Sequence, residues 1–98
     1  MAMKREQFLL VKLAEEANEV SQRALKAAQF GLDEVQAGQS ETNEQRLQAE
    51  LSDMYGIVWM LGQDHDALIE PELPQVLAKR DKVEKYRAYS VELGMVEE

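Results

Sequence analysis

Four pairs of acidic residues stand three positions apart in this chain: Glu16/Glu19, Glu41/Glu44, Glu50/Asp53 and Asp81/Glu84. With 19 acids in 98 residues, chance spacing alone yields about three or four such pairs, so the setting of each pair must decide. Glu41/Glu44 falls at a loop and helix start, and Asp81/Glu84 projects away from an apolar stripe among basic residues; both read as solvated acids. Glu16 lies at the margin of an apolar arc with Glu19 just beyond it, while Glu50 lies inside a second arc with Asp53 at its edge. Carboxylates in such places are costly unless something satisfies them. Residues three apart in a helix stand about 5 to 6 Å apart and face the same way, so the two pairs converge if their helices pack antiparallel. Four converging carboxylates suit a hard cation, because magnesium takes carboxylate oxygens, keeps several waters and is completed by phosphates. Zinc is disfavoured by the same inventory, with one His and no Cys in the chain.

The elements that must position these acids are helical. From about Lys4 to Phe30, Leu9, Leu10, Leu13, Ala17, Val20, Ala24, Ala27 and Ala28 fall on one arc at 100° per residue, and Gly31 ends the run. Residues 32–42 carry Gly, Ser and acids with Leu32 and Val35 as the apolar anchors, and read as a loop. Thr42 or Asn43 caps a second helix to about Gln63, with Leu47, Leu51, Met54, Ile57, Val58 and Leu61 on one face. Pro71 and Pro74 break the chain after a short helical turn. A third helix is expected from about Gln75 to Leu93, with Val76, Val83, Tyr86, Ser90 and Leu93 along one side and Gly94 as its stop.

Apolar residues make up 45% of the chain, with 5 Gly and 2 Pro to interrupt it, which favours an all-α fold: a small antiparallel helical bundle forming one domain over residues 1–98. A chain this short gains from a second subunit to bury apolar surface, so an oligomer is expected. The formal charge of −8 argues against a nucleic-acid polymer as partner, since that binding rests on Lys and Arg neutralising phosphates. With no Cys, nothing asks for an oxidising compartment. The N-terminus lacks a signal-peptide core, and the longest apolar stretch, Met54 to Leu61, is far below the roughly 20 residues that span a bilayer. A soluble, cytoplasmic protein with no membrane partner is the expectation.

Glu15-Glu16-Ala17-Asn18-Glu19 followed by Glu50-Leu51-Ser52-Asp53 resembles the Glu-Glu-x-x-Glu and Glu-x-x-Asp signature of the MazG-type all-α nucleoside triphosphate pyrophosphohydrolases, a superfamily that includes dimeric dUTPases and phosphoribosyl-ATP pyrophosphatases. The resemblance covers roughly residues 8–63. The 30 residues between Glu19 and Glu50 are on the long side for that family, which gives the 31–42 loop a bearing on substrate choice. The resemblance implies Glu16, Glu19, Glu50 and Asp53 as ligands of Mg2+, with Mn2+ as an alternative. It implies Glu15 as the residue that orients or deprotonates the attacking water. The implied reaction cleaves a (d)NTP between the α and β phosphates to (d)NMP and pyrophosphate, in a homodimer or homotetramer. A relative specific for dUTP, dCTP or phosphoribosyl-ATP is the narrower alternative.

Lys79, Arg80, Lys82, Lys85 and Arg87 crowd into nine positions of the third helix. The resemblance favours Lys82 and Lys85 as phosphate anchors, against a plain solvated helix pairing with its own acids. Phe30, Tyr55, Trp59, Tyr86 and Tyr89 can stack a base, but aromatics at helical spacing more often fill a core or a subunit interface, and none is assigned. His65 reads as a surface residue; Lys12 and Arg23 read as balancing charges on the Glu16 flank. A di-iron carboxylate bundle fails for want of Glu-x-x-His pairs. The remaining rival is a non-catalytic acidic helical interaction module.

Overall fold

The residues between the first two helices do more than connect them. In the computed structural model, which describes residues 2–65 and 69–98 and for His65 only the backbone, α1 (Arg5–Phe30) and α2 (Asn43–His65) pack antiparallel, followed by α3 (Leu73–Glu92). No strand occurs among the described residues. Gly31 stops α1 at φ 96°, a backbone that a side chain rarely adopts, and its N–H still closes on the Ala27 carbonyl at 2.8 Å. Thr42 starts α2 with a reciprocal capping box: its Oγ1 accepts from the Gln45 N–H at 3.1 Å, and Gln45 Oε1 accepts from the Thr42 N–H at 2.8 Å.

Asn43, 2% exposed, is the buried polar residue that locks this end of the hairpin. Its Nδ2 donates to the Gly31 carbonyl at 2.8 Å and to Glu34 Oε1 at 3.2 Å, while its backbone N–H donates to the Glu34 carbonyl at 3.0 Å. At the far end, Arg5 Nε donates to Asp64 Oδ2 at 2.7 Å, tying the start of α1 to the end of α2. Between these ties Leu9, Ala27 and Leu61 are buried, with Leu13, Val20, Leu47, Met54, Ile57 and Val58 half-buried around them.

The apolar arcs expected from spacing are wider than the surface one partner helix covers. Leu10, Ala17, Ala24 and Ala28 belong to the expected face of α1, yet all are exposed, as is Leu51 on α2. Among the described residues α1 and α2 each have one helical neighbour, which covers part of a wide arc. α3 begins with Pro74 in its first turn and ends in a Schellman arrangement, in which the Gly94 N–H donates to the Val91 carbonyl and the Met95 N–H to the Ser90 carbonyl, both at 2.9 Å. It packs on neither other helix among the described residues, and its expected stripe of Val76, Val83, Tyr86 and Leu93 lies exposed, with Ser90 half-buried. The expected turn after Gly62 falls mostly outside the described residues; α2 itself runs on to His65.

The chain is therefore open. Its radius of gyration is 17.1 Å, against about 13 Å for a compact domain of this size. Replacing Asn43 with Ala strands the Gly31 carbonyl and frees the 31–42 loop; the unfolding free energy is expected to fall by roughly 1–3 kcal/mol, read from the urea midpoint. An unchanged midpoint would mean that other contacts hold the loop.

Candidate metal centre

The packing of α1 on α2 brings three of the predicted carboxylates to one point on their seam. Glu16, Glu50 and Asp53 each offer an oxygen, and these oxygens lie within 4.8 Å of one another. Glu16 and Glu50 are half-buried between the helices and Asp53 is exposed at the rim. Antiparallel packing produces this convergence: Glu16 comes from the middle of α1, and Glu50 and Asp53 come from one turn of α2. Glu19 lies outside the group of three but adjoins Glu50, close enough for their carboxyls to share a hydrogen bond.

Such a bond exists only while one of the two carboxyls holds a proton, since two carboxylates are both acceptors. With both ionised, Glu50 Oε2 has no donor, and Glu16 Oε2 likewise is buried without one. Burial pushes the Glu16 carboxyl above its ordinary 4.5, the charges of Glu19, Asp53 and Glu15 push it further, and Lys12 opposes them. Glu50 is raised first by the contact with Glu19, then by burial and by the charges of Glu19, Asp53 and Glu16. Buried oxygens without donors and mutual repulsion are what a shared cation relieves, and an all-carboxylate donor set fits magnesium or manganese.

The two nearby cations play different parts. Arg23 sits across the seam with Nε 3.8 Å from Glu50 Oε1, too far for a strong hydrogen bond, and leaves the other Glu50 oxygen unpartnered. Lys12, expected to balance the carboxylates on the Glu16 flank, binds Glu15 with Nζ 3.0 Å from Oε2, opposes the upward push on Glu16, and lies 5.5 Å above the Phe8 ring. Glu15 is exposed beside the cluster. The Arg23–Glu50 approach escapes sequence reading because helical spacing relates residues along one helix and says nothing of the residue opposite.

Lys82 and Lys85 are exposed on α3, and one chain alone does not bring them to the carboxylates. Glu84 and Asp81 behave as solvated acids, paired with Arg87 at 2.9 Å and Arg80 at 3.1 Å. Phe30, Tyr55, Trp59, Tyr86 and Tyr89 are all exposed, so none fills a core within the chain. His65's side chain lies outside the described residues. No helix of the described residues is long and apolar enough to cross a membrane. No family profile, curated protein or solved structure matches this chain.

Because Glu16 and Glu50 are raised in the folded state, they hold protons that the unfolded chain has released. Their contribution to stability is present below the unfolded value of 4.5 and is lost as pH rises through the folded values. In EDTA, the melting temperature of the Glu16→Gln/Glu50→Gln variant should therefore exceed that of the natural chain more at pH 7.5 than at pH 4.5. A gap independent of pH would remove the repulsion from the description.

Proposed function

We propose that this chain is a divalent-cation-dependent nucleotide pyrophosphohydrolase that cleaves a nucleoside triphosphate between its α and β phosphates. The observation that carries the reading is the meeting of Glu16, Glu50 and Asp53 oxygens within 4.8 Å at the seam of two helices. Its weight comes from the two buried oxygens there that lack any donor. Support also comes from the order of the acids, which resembles the MazG-type signature although the 30 residues between Glu19 and Glu50 are on the long side for it.

In this reading Glu16, Glu50 and Asp53 would hold Mg2+ or Mn2+, with Glu19, beside Glu50, as the fourth ligand. The ion would supply charge neutralisation for phosphate oxygens and a lowered pKa for water. Glu15 stands one residue before Glu16 and accepts a proton from the attacking water once Lys12 swings away. Asp53 is exposed and Glu16 and Glu50 are half-buried, so a triphosphate would reach the group past Asp53. Lys82 and Lys85 serve as phosphate anchors in a homodimer or homotetramer, where a second copy can present α3.

Pyrophosphate release should be measured from a panel of canonical and modified NTPs and dNTPs, with dUTP, dCTP and phosphoribosyl-ATP included, in magnesium and again in EDTA. Release with magnesium that stops in EDTA is expected, and either Glu16→Gln or Asp53→Asn should lower it by roughly 10²-fold or more with helical circular dichroism unchanged. Full turnover in both variants would overturn the metal assignment. Silence across the whole panel from a folded preparation would leave the helical interaction module as the better account.

A further inference from the structure

The chain exposes 7993 Å², whereas a compact monomer of 11.2 kDa exposes roughly 5,700 Å². The excess, about 2,300 Å² per chain, falls in the range that each partner of an obligate homodimer buries. Much of it is apolar. Tyr55 and Trp59 on α2 are 50% and 66% exposed, and Val76, Val83 and Tyr86 on α3 are 50% to 59% exposed. Tyr55, Val58 and Trp59 line a groove of about 510 Å³ that takes no residue from α1 and has Ile69 and Pro71 in its wall.

We infer that two copies of this chain exchange their third helices, the Val76/Val83/Tyr86 stripe of each α3 lying in the Tyr55/Val58/Trp59 groove of the other copy's α2. Charge favours that pairing: the groove's lining includes Glu70 and no basic residue, and α3 carries five basic residues and three acids. Among the described residues Lys79, Lys82 and Lys85 have no ion pair in their own chain and are free to meet an acidic helix. Glu72 is extended at φ −111° and ψ 127°, and Pro74 sits in the first turn of α3. Among the described residues α3 packs on neither α1 nor α2. Exchange goes beyond the assignment of nucleotide hydrolysis and does not depend on it.

The absence of natural cysteine makes the test clean. One preparation carries Tyr55→Cys; separately tagged preparations carry Val76→Cys, Val83→Cys or Tyr86→Cys. All four sites are exposed in the single chain, so no packed contact is lost. The full-length chains are mixed, unfolded, refolded together and oxidised, and mass is read by light scattering. The expected result is a dimer of the natural chain and a mixed disulfide joining Tyr55→Cys to at least one α3 site on a different chain. A Val83→Glu/Tyr86→Glu variant is expected to run as a monomer. A natural chain that stays monomeric at 100 µM, a dimer without any mixed disulfide, or a Tyr55→Cys/Val83→Cys double variant that closes only within one chain would each overturn the exchange. Pyrophosphate release from the same preparations is a separate readout, so a dimer without activity refutes the enzyme and leaves the exchange standing.

Discussion

Glu16, Glu50 and Asp53 meet midway along the seam of α1 and α2, and each negative charge there raises the cost of the next. The seam has little to set against that cost. Leu9, Ala27 and Leu61 are its buried apolar side chains among the described residues, so its grip comes as much from the ends as from the middle. Asn43 fastens one end and Arg5–Asp64 the other. A hairpin clamped at both ends forces the carboxylates together where an unclamped one would splay apart. Arg23 offsets part of the repulsion at 3.8 Å from Glu50 but reaches only one oxygen. A divalent ion reaches several oxygens at once, which is why the same geometry that opposes folding of the bare chain favours binding of a cation.

Local signals in the sequence translate well into this structure because they act within a few residues. Gly31 and Gly94 stop helices where a positive φ is needed, Thr42 and Gln45 cap each other across three residues, and Pro74 opens α3. The convergence of Glu16 with Glu50 and Asp53 is legible too, since each lies on or beside an apolar arc and the arcs must face each other. What spacing cannot resolve is which part of a wide arc a single neighbour covers. Leu10, Ala17, Ala24 and Ala28 share an arc with Leu9 and Ala27 yet stay exposed, and Glu19, one position beyond the margin, adjoins Glu50 without joining the three-carboxylate group. Lys12 pairs with Glu15 at 3.0 Å, and since Glu15 and Glu16 stand three and four residues from it, spacing does not choose between them.

The chain's charge of −8 gives the proposed chemistry a physical ordering. A triphosphate approaching bare carboxylates is repelled, so the cation must be present on one partner or the other before contact, and arrival of the substrate with its own magnesium is the easier route. The positive side chains that would hold the rest of the polyanion are concentrated on α3, away from the acids in any one chain.

α3 also limits what the hairpin can be on its own. Its apolar positions are interrupted by Lys79 and Arg87, and none of its residues is buried in its own chain. A 20-residue helix of that kind draws little stability from propensity alone and depends on packing a face against a neighbour. If that neighbour is a second chain, helix formation in α3 and association become one equilibrium. The exposed outer face of α2 then ceases to be a liability, because the residues that would promote indiscriminate sticking, Tyr55 and Trp59, are the ones a partner's stripe covers. On the exchange proposed above, the wide apolar arcs, the detached third helix and the open shape would follow from one cause: the chain would carry the faces of an assembly and enclose only part of them itself.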